Sequence, residues 1–313
     1  MRGLSNTFIK DLQSGVLNKV LQRIKTDATL CLEIRENYID ICYRGGNAIK
    51  IREKDTNYYE FSFASKYLDD PSLKARLSSL KAVRTDSAVM QWIDELANIK
   101  NRMDLWLAQH SKNERDYLQM VVRDNNYGGA AHDTDYYICD IEYAYKNGKI
   151  DMVAVKWPST ASQRKQNQGL GLAFIEMKYM DRSLAGREGL VAHIKNMNTF
   201  LSAPNNLSKI KDEIKLIFNQ KVELGLVKGI NKIASFNDYN PEYILIFANH
   251  DPDKKSLYRE LQKGMEILCA DFGSKADLKV ATSCLMGFGL YDECIYPLDE
   301  FLQKYSHIIK GTR

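Results

Sequence analysis

Polar and apolar residues alternate in four short stretches near the start of the chain, and each stretch is rich in residues that favour strands. The stretches are 29–35, 38–44, 47–53 and 58–63. Glu36-Asn37 and Gly45-Gly46 suit the two-residue turns of hairpins. The pattern therefore predicts an antiparallel β-meander over residues 28–67, preceded by one amphipathic helix at 7–25.

Longer helical and strand patterns fill the rest of the chain. Further helices are predicted at 86–110, 187–201, 207–226 and 254–269, and strands at 139–145, 150–155, 173–179, 243–248 and 279–285. This order of elements predicts an α/β fold (α+β with a mixed sheet), in which helices flank the sheet. The expected domains are an accessory region at 1–85, a connecting helix at 86–110 and a main domain at 111–313.

The dipeptide Asn147-Gly148 joins two of these strands and is a strong signal for a hairpin with a two-residue turn. With that turn, Tyr145 pairs with Ile150, and side chains two residues apart share a face. Glu142 and Asp151 then point the same way as diagonal neighbours, roughly 7 Å apart. The predicted hairpin thus gathers carboxylates on one face.

The next predicted strand adds Glu176 and Lys178, which share a face with each other. If this strand pairs beside the hairpin, both side chains meet Asp151 at one patch. Several acids on a half-buried sheet are unfavourable unless a cation neutralises them, and Mg²⁺ does so while also binding substrate phosphates. The patch points to metal-assisted phosphodiester hydrolysis, in which Lys178 orients water or stabilises charge on a phosphate.

A solvated ion pair on an edge strand is the alternative interpretation of Glu176 and Lys178. In that case Asp151 is an acid beside a turn. The apolar run 172–175, which leads directly into Glu176, favours a central strand instead.

Asp151 followed by Glu176-Met177-Lys178 resembles the Asp…Glu-x-Lys core of the PD-(D/E)XK nuclease superfamily. The resemblance covers roughly residues 111–250, where a helix, a hairpin, the Glu-x-Lys strand, a helix and another strand follow in that family's order. Ile150 replaces the proline of the motif, and the long loop 158–171 between the motif strands is a second departure. The resemblance implies a restriction-endonuclease-like core sheet.

The resemblance also implies a role for each residue. Asp151 and Glu176 would be catalytic and would ligate Mg²⁺ or Mn²⁺, with Glu142 as a further metal ligand, and Lys178 would be catalytic. The implied activity is hydrolysis of nucleic acid, DNA in preference to RNA. The second hypothesis is a nuclease fold without turnover that binds nucleic acid or serves in assembly.

Glu114 has two interpretations of equal standing. The family resemblance makes it a catalytic acid on the helix that precedes the hairpin. However, Ser111-x-x-Glu114 before an apolar run is also a capping box, in which Glu114 bonds back to the Ser111 amide.

Several other groups are candidates for contact with nucleic acid, and each has an ordinary structural alternative. His193 borders an apolar helical stripe, and the loop 164–168 is basic and polar. Aromatic rings can stack bases while cations hold phosphates, but the same residues suit the wet face of a sheet. The meander carries Tyr38, Tyr43, Arg44, Lys50, Arg52, Tyr58 and Tyr59. The basic residues Lys209, Lys211, Lys215 and Lys221 are predicted to form a solvated helix face.

The composition restricts the class of protein. The chain has 313 residues, of which 44% are hydrophobic, so a sizeable core can form. No apolar run approaches the ~20 residues of a membrane span, and the first residues lack an apolar signal core, so we expect a cytoplasmic protein that does not enter a membrane. The six cysteines form no C-x-x-C pair, which argues against a zinc site. A net charge of +4 is compatible with nucleic acid as the partner, and a homodimer is the other assembly considered.

Overall fold

Two β-sheets organise the chain, and each belongs to its own unit. The computed structural model describes residues 1–67, 69–110, 113–127, 133–145, 148–157, 159–187, 189–227, 231–251, 254–282 and 287–310. The first unit comprises Met1–Gln119 and Leu216–Lys232, and the second comprises Met120–Lys215 and Ile233–Arg313. The predicted domain boundaries at 85 and 110 stay a prediction. Among the described residues, no helix is long and apolar enough to cross a membrane.

The first sheet confirms the predicted meander. Its strands follow one another in chain order, each antiparallel to the next: β1 (Leu30–Ile34), β2 (Tyr38–Tyr43), β3 (Gly46–Asp55), β4 (Tyr58–Ser62) and β5 (Ala82–Val83). The short strand β5 was not predicted. Tyr43 pairs with Gly46, so Arg44 and Gly45 form the turn, one residue earlier than expected, and both have positive φ.

Helices bury the apolar side of this sheet. They are α1 (Asn6–Gln13), α2 (Asn18–Thr26), α3 (Pro71–Ser79) and α4 (Asp86–Gln109). The single helix predicted at 7–25 is in fact two helices, because the chain turns at Ser14 and Gly15, whose amides bond back to carbonyls of α1. The long predicted helix is confirmed as α4, and its stripe from Val89 to Leu107 is buried.

The segment Leu216–Lys232 covers part of the other side of the first sheet. It includes the end of α8 (Asn206–Glu223), where Lys221 donates to Glu33 of β1 at 3.3 Å. Both side chains are almost completely buried. The prediction of a solvated Lys221 is therefore wrong, because Glu33 supplies the opposite charge that a buried ammonium needs.

The second sheet has the strand order β11-β10-β9-β8-β7-β6. Strands β6, β7 and β8 are antiparallel, β8, β9 and β10 are parallel, and β11 is antiparallel to β10. The strands are β6 (Tyr136–Tyr145), β7 (Gly148–Lys156), β8 (Gly171–Tyr179), β9 (Glu242–Ala248), β10 (Asp277–Ala281) and β11 (Ile295–Pro297). This mixed sheet confirms the α/β fold class.

The remaining helices lie between and after these strands. They are α5 (Asn113–Asn126), α6 (Ala161–Arg164), α7 (Leu190–Ser202), α9 (Lys255–Ala270), α10 (Leu298–Lys304) and α11 (Ser306–Lys310). The order α5, hairpin, β8, α7 and β9 is the order that the sequence predicts.

The register of the β6–β7 hairpin differs from the predicted one. Tyr145 pairs with Gly148 instead of Ile150. Lys146 and Asn147 lie outside the described part of the chain. From Asp140 to Tyr145 the observed pairing differs from the prediction by two residues, which keeps these side chains on their predicted faces, whereas the irregularity between Ile138 and Asp140 changes the pairing before it.

Side-chain contacts of Glu242 link four strands of the second sheet. Its Oε1 accepts from Lys156 of β7 at 3.0 Å and from Lys279 of β10 at 2.5 Å, and its Oε2 accepts from the Tyr136 hydroxyl of β6. Burial alone would raise the pKa of Glu242, but the hydrogen bonds from Lys279 and Tyr136 and the charge of Lys156 lower it below its ordinary value. The ionised carboxylate therefore stabilises the sheet.

We expect Glu242→Ala to destabilise the protein by about 3 kcal/mol, the lower end for breaking a buried ion pair. The reason is that Lys156 and Lys279 lose their shared partner while remaining mostly buried. Urea unfolding followed by circular dichroism measures the change. Asp271→Ala removes an exposed pair with Lys275 and should have little effect. Equal effects of the two variants would contradict the role of Glu242.

Candidate active site

Strand β8 is an inner strand, and this position decides the environment of Glu176 and Lys178. It pairs with β7 on one side and β9 on the other. Glu176 and Lys178 are only 3% and 4% exposed. An apolar run leads into Glu176, as expected for a strand covered on both faces. A solvated pair on an edge strand is therefore ruled out.

Asp151 lies where β7 and β8 stop pairing through their backbones. The last pair between these strands is Met152 with Ile175. One residue further on, Oδ2 of Asp151 accepts from the Met177 amide at 3.0 Å, and Asp151 is 4% exposed. The carboxylate thus serves as the acceptor that the neighbouring backbone no longer supplies, and it lies beside the segment that carries Glu176.

Two cationic side chains meet at Glu176. Lys178 Nζ donates to Glu176 Oε1 at 2.8 Å, and His193 Nδ1 lies 2.6 Å from the same oxygen. His193 is in the first turns of α7, and its side chain is 21% exposed. The helix after the motif strand therefore contributes directly to the cluster, which we define as Asp151, Glu176, Lys178 and His193.

The contacts shift two pKa values in opposite directions. Burial alone would raise the pKa of Glu176, but the hydrogen bond from His193 and the charge of Lys178 hold it below its ordinary value. Burial alone would lower the pKa of His193, but the hydrogen bond to Glu176 and its charge raise it above its ordinary value. The geometry therefore favours an ionised carboxylate and a protonated imidazole.

Glu142 is linked to Asp151 through Lys149. Lys149 Nζ lies 2.9 Å from Glu142 Oε1 and 3.9 Å from Asp151 Oδ1. Glu142 stands between two paired neighbours of β6, level with Asp151, and has a φ of 52°. Positive φ is uncommon for a residue other than glycine, and such strain is found disproportionately at functional sites.

Glu114 and the loop 164–168 are the other groups that the sequence suggested. Glu114 lies in the first turn of α5, in the part of that helix that belongs to the first unit. Its capping partner Ser111 lies outside the described residues, so both interpretations of Glu114 stay predictions. In the loop, Arg164 is buried, donates to the Thr134 carbonyl and lies over the Trp157 ring. Arg164 thus has a structural role.

The donor types of the cluster suit a hard divalent cation, because Asp151 and Glu176 supply carboxylate oxygens from the neighbouring strands β7 and β8. Their oxygens also have protein partners: Met177 for Asp151, and Lys178 and His193 for Glu176. Within the described ranges, no three histidine, cysteine, aspartate or glutamate side chains converge as a set of metal ligands. A metal ion at Glu176 would therefore share this carboxylate with the two cationic side chains that contact its Oε1.

Lys149 was missed by the sequence interpretation, although a signal was available. It precedes Asp151 by two residues on the same strand, so alternation places both on one face. His193 was considered for a catalytic or phosphate-binding role, with ordinary packing as the alternative, but its contact with Glu176 was not predicted. Its contact with Glu176 depends on how α7 packs, which spacing along the chain does not specify.

Comparison of the chain with protein-family models, with curated proteins and with solved structures finds no match. The resemblance to the PD-(D/E)XK superfamily therefore stays a prediction from the sequence.

The contact between His193 and Glu176 predicts a specific pH dependence of stability. Because the pKa of His193 is raised in the fold, the protonated ring contributes its full stabilisation below the ordinary value of 6.5. That contribution is lost as the pH rises through the higher folded pKa. The melting temperature of wild type should exceed that of His193→Gln most at pH values below 6.5, and the difference should shrink at alkaline pH.

The control is the same substitution in a Glu176→Gln background. Without the carboxylate, His193→Gln should lose its pH-dependent effect, since the interaction that raises the pKa is gone. An equal pH dependence in both backgrounds would show that another group is responsible.

Proposed function

We propose that the second unit is a metal-dependent nuclease that hydrolyses phosphodiester bonds of nucleic acid, DNA in preference to RNA. The observation that carries this proposal is the meeting of Asp151, Glu176 and Lys178 at one buried point of an inner strand. Burying several charged side chains together is costly unless opposite charges compensate, and a metal ion would supply such a charge. The order of elements around them supports the same proposal.

In this proposal, Asp151 and Glu176 hold the cation and Lys178 acts on the reacting phosphate. A bound Mg²⁺ or Mn²⁺ would polarise a phosphate oxygen and acidify a water molecule. The Lys178 ammonium would stabilise the negative charge that grows on the phosphate oxygens as water attacks phosphorus and the ester bond breaks. Glu142, which Lys149 links to Asp151, adds negative charge beside the cation.

Without a metal ion, His193 and Lys178 supply the positive charge that offsets the charge of Glu176. Both contact Oε1 of Glu176, so together they offset the cost of burying this carboxylate. With a metal ion at the Glu176 carboxylate, Lys178 would be available to contact the substrate phosphate. Its position two residues from Glu176 keeps its ammonium close to any phosphate bound there.

One observation favours the second candidate, a nuclease fold without turnover that binds nucleic acid or serves in assembly. Glu176 already has two cationic partners, so the cluster is charge-balanced with protein groups alone. Such a cluster can be purely structural. The two candidates differ in whether metal ions bind and whether the chain cleaves.

Asp151→Asn and Glu176→Gln are expected to abolish cleavage of a labelled DNA panel with Mn²⁺, because each keeps the shape of the side chain and removes an anionic ligand. Wild type should also show a rise in melting temperature with Mn²⁺ that each variant loses. The matched control is Asp277→Asn, an exposed aspartate of β10, which should cleave normally. Normal cleavage by either cluster variant would sink the proposed metal site.

Lys178→Met separates catalysis from binding. It keeps much of the aliphatic stem and removes the charge, so turnover should fall about 10²–10³-fold, the scale for losing one electrostatic donor in an active site. Affinity for the substrate, measured in Ca²⁺ at fixed salt, should change far less because binding is spread over several phosphates. Lys209→Met, an exposed lysine of the same unit, is the control. A Lys178→Met protein that cleaves at the wild-type rate would rule out the assigned role.

A further inference from the structure

The side of the first sheet that faces away from its apolar core has two different halves. Along β2, β3 and β4, the residues Ile39, Ile51 and Phe61 are buried, and their neighbours in sequence point to the opposite side. On that opposite side, the half near β1 is occupied by the buried pair of Glu33 and Lys221. Polar side chains that are exposed or half-buried lie on the other half, which is formed by β3, β4, β5 and the start of β2.

Two tyrosines on this half each lie against a cation. Lys50 Nζ lies 4.7 Å and Arg52 Cζ 4.8 Å from the centre of the Tyr38 ring. Arg84 Cζ lies 3.9 Å from the centre of the Tyr58 ring. We call these residues the open face: Tyr38, Lys50, Arg52, Tyr58 and Arg84.

The sheet register explains why these side chains are neighbours. Tyr38 pairs with Arg52, and Arg52 pairs with Glu60 on the next strand. Lys50 is two residues from Arg52, so it lies on the same side, about 7 Å along the strand. Tyr38 and Tyr58 are two strands apart, about 10 Å in the hydrogen-bonding direction. The open face is thus a shallow surface with two spaced rings.

The charge on this surface is positive. Among the described residues, the three cations of the open face form no ion pair with a carboxylate. The nearby Glu60 is neutralised twice, by Lys54 at 2.7 Å and by Lys81 at 2.5 Å, and these two lysines lower the pKa of Glu60 to about 2. Asp40, on the same side, is paired with Arg35 at 3.2 Å. Positive charge therefore remains where the rings are.

We propose that the open face binds single-stranded nucleic acid, with bases stacked on the two tyrosines and phosphates held by the three cations. Rings spaced on a sheet with cations between them are what sequence-tolerant recognition of unpaired bases requires. A duplex does not present base faces to such rings, because its bases are stacked on one another. An anionic membrane or a polyanion without bases would use only the cations.

The structure also excludes some of the residues that the sequence suggested for a nucleic-acid surface. Tyr59 is buried, and its hydroxyl donates to Asp11. The Tyr43 hydroxyl donates to Asp104, and Arg44 pairs with Asp104 and Asp116. These three side chains are engaged within the first unit, whereas the cations of the open face retain their charge for a ligand.

The test is fluorescence anisotropy with a labelled single strand of about 16 nucleotides, which covers the site sizes of such surfaces. Measurements in EDTA keep the result independent of cleavage by the second unit. Tyr38→Ala and Tyr58→Ala should each weaken binding about tenfold, the scale for losing one base-stacking ring. Tyr38→Phe should bind like wild type, because stacking uses the ring and not the hydroxyl.

The cations are tested through the salt dependence of binding. The double variant Lys50→Gln/Arg52→Gln should reduce the slope of log Kobs against log salt by about 1.4, or about 0.7 for each lost phosphate contact with a single strand. The control Lys10→Gln/Lys74→Gln removes the same net charge from exposed positions on α1 and α3 and should leave the slope nearly unchanged. Both lysine and arginine of the test pair are on the surface side of β3, so this variant also keeps the proposal testable if Tyr38→Ala fails to fold.

Three results would overturn the proposal. One is tyrosine-to-alanine variants that bind the single strand like wild type while melting normally. Another is an equal reduction of the slope of log Kobs against log salt in Lys50→Gln/Arg52→Gln and in Lys10→Gln/Lys74→Gln. The third is tighter binding to a duplex of equal length, to heparin or to vesicles containing phosphatidylserine, since none of these offers unpaired bases. Tight binding of the single strand with the expected losses supports the open face.

Discussion

Burying a carboxylate inside a sheet is costly, and the candidate active site depends on how that cost is met for Glu176. Its inner strand removes it from water, so an opposite charge has to reach it from within the protein. Lys178 does so from the same strand, and His193 does so from the helix that follows. The contacts of Lys178 and His193 with Glu176 thus offset the cost of burying one acid.

The change of strand direction at β8 is a second feature on which the candidate active site depends. On one side β8 is antiparallel to β7, and on the other it is parallel to β9. Where β7 stops pairing, an amide of β8 needs another acceptor, and Asp151 provides one. An acid is thus held by the backbone beside a second acid. In the proposed nuclease this arrangement would hold a cation. The open face of the other sheet relies instead on cationic side chains and tyrosine rings at its surface.

Much of the fold was predictable because its elements have strong local signals. The meander, the long helix α4 and the apolar strand β9 were recognised from period and turn residues. The hairpin register was missed because an Asn-Gly pair indicates a turn without fixing which residues pair on either side of it. The break after α1 was missed because the apolar stripe continues across Ser14 and Gly15. Contacts set by packing, such as His193 with Glu176 and Lys221 with Glu33, have no signature in local spacing.

The pairing of Glu33 with Lys221 has a consequence for the order of events during synthesis. The two residues are 188 positions apart in the chain, so a ribosome delivers the whole first sheet well before the lysine that neutralises it. Until then, β1 carries an acid whose final environment excludes water, and that environment cannot form without the lysine. The first unit therefore completes its folding only after much of the second has been made, which exposes it to chaperones and proteases for longer than its position at the start of the chain suggests.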